Sequence, residues 1–233
     1  MIESLRDIIA PARRECRTAA DGPDKRSVYR ELVARCRACT RCHPELENVG
    51  DALHPSPWVR LFDHSGGELR SISADLVVVG QDFSASDRVN GPNREPDPYI
   101  PINKNLRKLL SEAGFSVDQV YLTNAILCLK PGRDLSGPTR AAWFRECRPF
   151  LKQTIEIVGP RAVVGLGAKA WEAVQRAFDL TPQPLARAVE QGPLPVPNGP
   201  LLVAMYHCGG LGLVSRPLDR QRQDWARLGA RLD

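Results

Sequence analysis

The sequence lacks several features that would place it in a special class of protein. No apolar run approaches the roughly 18 residues that a membrane-spanning helix needs. The first residues, MIESLRDIIAPARREC, have no long apolar stretch, so we expect no secretory signal. No internal repeat or low-complexity tract is present. The excess of 32 Lys and Arg over 27 Asp and Glu is mild, so it permits a polyanionic partner without requiring one.

Length and composition are those of an ordinary globular protein. The chain has 233 residues, of which 42% are hydrophobic and 25% are charged. We expect a single domain over residues 1–233, in a protein that is a monomer. Within it we expect an N-terminal helical extension at 1–26 and an irregular, proline-containing excursion at 43–73.

Cysteine is the most informative residue type. The seven cysteines are odd in number and follow no signal, which disfavours a secreted disulfide scaffold. The run Cys36-Arg-Ala-Cys39-Thr-Arg-Cys42 contains two overlapping C-x2-C pairs. Such a pair is typical of metal or cluster ligation, or of a redox pair. The alternative is a helix end with three cysteines and no metal. The other cysteines are Cys16, Cys128, Cys147 and Cys208.

Strands rich in β-branched residues alternate with helical patterns along the chain. This alternation predicts an α/β fold with three layers and a central, mostly parallel, four-stranded sheet. The loops at 83–102, 129–139 and 181–200 are polar or rich in proline and glycine. The predicted strands are 75–80, 120–127, 161–165 and 201–206, and the predicted helices are 1–15, 27–38, 103–113, 140–157, 168–178 and 218–232.

Polar side chains follow three of the predicted strands. Asp82 comes after the first, Asn124 ends the second, and His207 follows the fourth. Ligands of open α/β sheets bind beyond the carboxyl ends of the strands, so an acid, an amide and an imidazole should meet at one edge. No Ser or Cys stands with a base in a recognisable nucleophile arrangement, although Cys208 adjoins His207. Loop capping or core hydrogen bonding is the alternative role for each residue.

Residues 165–170 match the pattern G-x-G-x-x-A after a strand and before a helix, as in dinucleotide-binding proteins. The match lies on the third predicted strand, and no acid about twenty residues later ends a further strand. Tight packing between strand and helix is the simpler interpretation. A nucleotide-binding oxidoreductase remains the weaker alternative.

Several segments together resemble the uracil-DNA glycosylase superfamily, and most of all its iron–sulfur branch (family 4 and relatives). Val77-Val-Val-Gly-Gln-Asp82 is similar to the first motif, and Tyr121-Leu-Thr-Asn-Ala-Ile-Leu-Cys128 to the second. Cys147-Arg-Pro-Phe-Leu, the segment 157–167 and Met205-Tyr-His207 continue the similarity, which covers about residues 28–230. The resemblance implies a DNA-repair enzyme that acts on uracil-containing DNA in the cytoplasm of a prokaryote, at the nucleoid.

The resemblance also implies a 4Fe-4S cluster held by Cys39, Cys42, Cys128 and Cys147. Cys36 is the alternative partner of Cys39; we favour Cys42 because Pro44-Glu-Leu-Glu-Asn48 is similar to the segment that follows the second ligand in related chains. In this family the cluster is structural. A zinc site is the alternative for four cysteines.

For the reaction, the resemblance implies that Asp82 orients a water and stabilises a cationic sugar, while a neutral His207 donates to the uracil O2. Asn124 would pair with N3–H and O4 of uracil. The loop 129–139 has no His, so we expect no covalent trapping of DNA.

Further residues with four roles complete the expected site. Gln81 would contact the substrate, and Phe83 or Tyr99 would stack on the base. Leu211, or Leu213, would enter the duplex as a wedge, and Arg216 would contact a phosphate. A noncatalytic iron–sulfur protein that binds uracil or damaged DNA is the alternative function.

Overall fold

A computed structural model describes residues 24–48, 71–83, 101–116, 119–130 and 138–232. Its central sheet has five strands, which are β2 (Leu76–Gly80), β3 (Val120–Asn124), β5 (Ala162–Leu166), β6 (Leu194–Pro195) and β7 (Leu201–Met205). They lie in the order β3-β2-β5-β7-β6; the first four of this order are parallel, and β6 is antiparallel to β7. The parallel strands are almost wholly buried, which explains their continuous apolar sequences.

Helices cover both faces of this sheet and bury one apolar core on each side. One core packs Trp171 and Leu151 against Val77, and the other packs Trp225 and Leu109 against Val78. Val77 and Val78 are neighbours in β2 and point to opposite faces, as strand geometry requires. The helices are α1 (Lys25–Arg37), α2 (Pro101–Glu112), α3 (Ala141–Val158), α4 (Ala168–Ala177), α5 (Leu185–Gln191), α6 (Gly210–Ser215) and α7 (Leu218–Leu232).

The predicted α/β fold with a mostly parallel central sheet is confirmed, with differences in its short elements. The second strand ends at Asn124, whereas the sequence pattern extends it to 127; Ala125, Ile126 and Leu127 are equally buried, so apolarity could not mark the end. Cys128–Leu129 then forms β4, which pairs antiparallel with β1 (Glu47–Asn48). Residues 43–73 are therefore not wholly irregular, and 181–200 contains α5 and β6. The predicted number of four strands is wrong, because β6 adds a fifth strand to the sheet, and a strand of two residues has no periodicity that the sequence could show.

The G-x-G-x-x-A segment joins β5 to α4 by close packing. A β-carbon on Gly165 would lie 2.6 Å from the Cα of Trp171, so only glycine lets the helix approach the strand. Gly167 has a φ of 92°, which favours glycine in the turn. The motif thus has a packing role, as the sequence analysis favoured. Among the described residues, no helix is long and apolar enough to span a membrane. The predicted helix 1–15 lies outside them.

Candidate active site and cysteine cluster

The carboxyl ends of β2 and β3 form the first part of the candidate site. Gly80 and Asn124 are paired in parallel register at these ends. Beyond them the two chains stay side by side, because Ala125 N donates to Gly80 O at 2.8 Å and Ile126 N donates to Gln81 O at 3.0 Å. A side chain on Gly80 would overlap the Oδ1 atom of Asn124, so the glycine makes room for this amide.

Asp82 follows β2 and forms an ion pair with Lys130. The Lys130 Nζ lies 3.0 Å from the Asp82 Oδ2, and the two side chains are only 10% and 15% exposed. Gln81 Nε2 also donates to Oδ2, at 3.3 Å. No described residue donates a hydrogen bond to Oδ1 of Asp82. One carboxylate oxygen is thus held by two donors while the other is available to a ligand.

His207 follows β7 and lies within electrostatic reach of Asp82. Burial lowers the pKa of its imidazole below the ordinary 6.5, and this effect outweighs the hydrogen bond with the backbone of Gly209 and the attraction of the Asp82 carboxylate. The ring is therefore neutral at pH 7. Gly167, at the end of β5, packs next to it: a β-carbon there would lie 3.4 Å from the His207 Cβ. The ends of β2, β5 and β7 thus surround one region.

The segment after His207 is held closely against it. A β-carbon on Gly212 would lie 2.7 Å from the His207 carbonyl carbon and would overlap its oxygen. The buried Gln221 donates from Nε2 to the carbonyl oxygens of His207, at 3.3 Å, and Arg216, at 2.9 Å. Both ends of the segment are thereby tied to α7. Within it, Leu211 is 86% exposed.

Arg216 is engaged within the protein. Its Nη2 donates to Oδ1 of the buried Asp224 at 2.7 Å, and its Nε contacts Oδ2, which makes a bidentate pair. Its guanidinium carbon lies 5.7 Å from the centroid of the Tyr206 ring. These contacts orient Arg216 beside α6, and its contact with a phosphate stays a prediction.

Cys208 is not activated as a nucleophile. Its side chain is fully buried, its Sγ lies 3.4 Å from the carbonyl oxygen of Ile102, and burial raises its pKa to about 12. A protonated, inaccessible thiol is inert at neutral pH. Asn105 Nδ2 donates to the Cys208 carbonyl at 2.9 Å, so the residue anchors the His207 segment on α2.

Five cysteines lie close together beside α1 and α3 and form a second candidate site. Cys36, Cys128 and Cys147 belong to one buried apolar cluster, and Cys39 and Cys42 pack against it. The thiols come from the end of α1, the turn after it, β4 and α3. Asn48 fixes the turn, since its side-chain amide donates to the carbonyl oxygens of Cys36 at 3.0 Å and Cys39 at 2.6 Å. Distant parts of the sequence thus bring five potential ligands together.

The donor set fits a thiolate-bound cluster. Burial raises the pKa of Cys36 and Cys128 to about 12 and that of Cys147 to about 11, and neighbouring thiols raise all three further. Such a site favours protons or a metal over bare thiolates. The Leu127 amide donates to the Cys147 Sγ at 3.5 Å and opposes this rise. Within the described segments, no three His, Cys, Asp or Glu side chains are set to hold a single metal ion.

Comparison with known proteins assigns the family. A profile of the "Uracil DNA glycosylase superfamily" matches residues 67–228. The chain belongs to the uracil-DNA glycosylase superfamily. It is 28% identical over 200 residues to the type-5 uracil-DNA glycosylase of Pyrobaculum aerophilum, covering 78% of this chain and 83% of that protein. It is 34% identical over 146 residues to the type-4 uracil-DNA glycosylase of Thermotoga maritima, covering 60% and 62%.

A second type-4 uracil-DNA glycosylase, from Archaeoglobus fulgidus, is 26% identical over 108 residues, which are 46% of this chain and 50% of that protein. These similarities confirm the resemblance drawn from the motifs, including its iron–sulfur branch.

Most of the site residues predicted from the resemblance lie in two locations, the carboxyl edge of the central sheet and the cysteine cluster. The ends of β2 and β3 carry Gln81, Asp82, Phe83 and Asn124, and His207 follows β7. Tyr99 lies outside the described residues. The four predicted ligands Cys39, Cys42, Cys128 and Cys147 gather together, and Cys36 is among them.

Sequence reasoning missed Lys130 and Gln221. A lysine two residues after Cys128, at the end of a buried segment, was the available signal for the first. Gln221 left none, because one glutamine within a polar helix is unremarkable in the sequence. Both act on residues that the motifs did single out.

Proposed function

We propose that this protein is a monofunctional DNA glycosylase, which flips uracil or a related deaminated base out of DNA and hydrolyses its N-glycosidic bond. The observation that carries the proposal is the meeting of Asp82, Asn124 and His207 at one sheet edge in a chain of this superfamily. Two of its relatives are a type-4 and a type-5 uracil-DNA glycosylase, which supports uracil as the base.

Asp82 supplies the negative charge that the reaction needs. Cleavage of the C1′–N1 bond builds positive charge on the sugar, and a fixed carboxylate stabilises it. With Oδ2 held by Lys130 and Gln81, Oδ1 is the oxygen that accepts a hydrogen bond from the attacking water. Partial burial strengthens both effects because the carboxylate is little screened by solvent.

His207 and Asn124 act on the base. The departing uracil gains negative charge on O2, and the neutral His207 donates a hydrogen bond from its imidazole N–H to this oxygen. The Asn124 amide accepts from N3–H and donates to O4, a pattern that cytosine reverses. Flipping brings the base to these groups, which are otherwise out of reach of a stacked nucleotide.

The remaining residues bind the nucleotide and the duplex. Gln81 contacts the substrate, Phe83 or Tyr99 stacks on the base, and Arg216 contacts a phosphate. Leu211 enters the gap that the flipped nucleotide leaves, for which its exposed position on α6 is suited.

The family's 4Fe-4S cluster fits the cysteine group. Cys39, Cys42, Cys128 and Cys147 would hold it through their thiolates, and zinc is the alternative occupant of four cysteines. When bound, the cluster supplies cross-linking of the chain rather than bond cleavage. The four thiolates would then tie the turn after α1 to β4 and α3 and would fix the start of the segment 129–146.

Cleavage of a uracil-containing oligonucleotide tests the function. Purified protein should convert uracil sites into alkali-labile abasic sites and leave the strand intact before alkali, as a monofunctional enzyme does. Asp82→Asn should lower the rate by about 100-fold or more while DNA binding persists. Full activity of that variant would remove Asp82 from the chemistry.

The alternative function has a distinct outcome in the same experiment. A noncatalytic binder would retain uracil-DNA in a gel-shift assay and never generate abasic sites. A panel of oligonucleotides with different deaminated bases, each single- and double-stranded, then defines the substrate range.

A further inference from the structure

We propose that Lys130 is a positioning residue of the reaction, which holds Asp82 so that Oδ1 of its carboxylate faces the reacting sugar and water. The inference rests on the proposed function, because it assigns the orientation of the carboxylate that this function uses. No motif of the sequence analysis includes Lys130.

The geometry of the ion pair carries the proposal. Lys130 Nζ and Gln81 Nε2 both reach the Oδ2 atom of Asp82, at 3.0 and 3.3 Å, and no described residue donates to Oδ1. A carboxylate bound at one oxygen by two donors has a fixed rotation, and its second oxygen has a fixed direction. The pair is nearly buried, so solvent neither screens nor replaces it.

The backbone around Lys130 makes it a rigid support. It directly follows β4, whose residues pair with Glu47 and Asn48 of β1. Leu129 is 2% exposed, and Cys128 lies in the cysteine cluster. The ammonium is therefore held from the cysteine side of the molecule, whereas the carboxylate belongs to the central sheet. Lys130 connects these two parts at the candidate site.

A fixed carboxylate matters because reaction rates depend steeply on alignment. Displacing a reacting group by about 1 Å can cost about 100-fold in rate. Lys130 lies on the oxygen that faces away from the ligand, so its loss should change the rate of the chemical step more than the affinity for DNA. If Lys130 instead contacted a phosphate, its loss would have the opposite effect. The affinity for DNA would become weaker and would depend less on the salt concentration.

Two substitutions of Lys130 test this role. Lys130→Met keeps the length of the side chain and removes its charge; we expect the single-turnover rate of uracil excision to fall about 10- to 100-fold, with the dissociation constant for DNA changed less than about threefold. Lys130→Arg keeps a donor for Oδ2 and should recover most of the rate. The matched control is Lys152→Met, because Lys152 pairs with Asp179 at the same 3.0 Å on the surface; it should leave both quantities unchanged.

A double variant separates positioning from an independent role. If Lys130 acts through Asp82, then Asp82→Asn/Lys130→Met should cleave as slowly as Asp82→Asn and no slower. This variant also avoids the unpaired buried carboxylate that could unfold Lys130→Met alone. A further rate loss in the double variant, or a full rate in Lys130→Met, would overturn the proposal. Wild-type protein that never cleaves uracil-DNA would instead overturn the proposed function.

Discussion

The side-chain amide of Asn124 lies against Gly80, its partner in the register of β2 and β3, so closely that a β-carbon on Gly80 would overlap Oδ1. The amide that we propose recognises the base thus depends on a glycine in the neighbouring strand. The same glycine ends β2 and directs the chain towards Asp82. One residue therefore sets the relation between the amide and the acid.

Gly80→Ala should displace the Asn124 amide and lower the efficiency of uracil excision by about tenfold or more, with only a modest drop in melting temperature. The measurement is kcat/KM on a uracil-containing oligonucleotide. Asn124→Ala removes the overlapping atom and provides the control. In that background, Gly80→Ala should cost nothing further, and an additional loss would show that the glycine acts through another contact.

His207 gives a pH-dependent prediction. Its folded-state pKa lies below the unfolded value of 6.5, so the unfolded chain binds the proton first as the pH falls. The neutral ring therefore makes its full contribution to the free energy of unfolding above pH 6.5. This contribution is lost as the pH falls from 6.5 through the folded-state pKa. The melting temperature of the wild type should therefore fall more between pH 7.5 and pH 5.5, about one unit on either side of this value, than that of His207→Gln. An equal fall in both proteins would contradict the burial of a neutral ring.

The Asp82 carboxylate provides a direct check on the same imidazole. Its attraction raises the pKa of His207 and opposes the effect of burial. Asp82→Asn should then lower the pKa of His207 still further, as measured by an NMR titration of the ring. An unchanged pKa of His207 in the variant would place the two residues in separate environments.

The large elements of the fold were predictable from the sequence because each has a strong local signal. Val77, Val78 and Val79 mark β2, and the long helices show apolar residues at helical spacing. The short elements had no such signal. β1 and β4 exist because Glu47 and Leu129 pair across 82 residues of sequence, and two-residue strands have no period of their own.

The candidate site was predictable where a residue directly follows a strand. Asp82, Asn124 and His207 meet because parallel strands end at one sheet edge. Lys130 was not predictable in this way, since its contact with Asp82 depends on where β4 places it after the turn at 125–127. Likewise the spacing of the cysteines could not choose between Cys36 and Cys42, because both are three residues from Cys39; only the resemblance of residues 44–48 to related chains favours Cys42.

Serine variants decide which cysteine pairs with Cys39. The similarity of Pro44-Glu-Leu-Glu-Asn48 to the segment that follows the second ligand in related chains favours Cys42. We expect Cys42→Ser to lose most of the iron and acid-labile sulfide, and Cys36→Ser to retain about four iron atoms per chain. Iron content and visible absorbance of anaerobically purified protein provide the measurement. The reverse result would assign the cluster to Cys36, and bound zinc without iron would assign the alternative metal.

Leu211 gives a prediction for the DNA surface. Two large apolar residues of α6 are exposed, Leu211 at 86% and Val214 at 81%, and Leu211 is the more exposed of them. A wedge replaces the stacking that a flipped base loses, which matters in a duplex and hardly at all in a single strand. Leu211→Ala should therefore lower excision from double-stranded DNA about tenfold and leave excision from single-stranded DNA nearly unchanged. Val214→Ala removes a similar exposed apolar side chain from the same helix and serves as the control. Equal losses on both substrates would show that Leu211 supports the site rather than the duplex, and a strand-dependent loss in Val214→Ala alone would transfer the wedge to Val214.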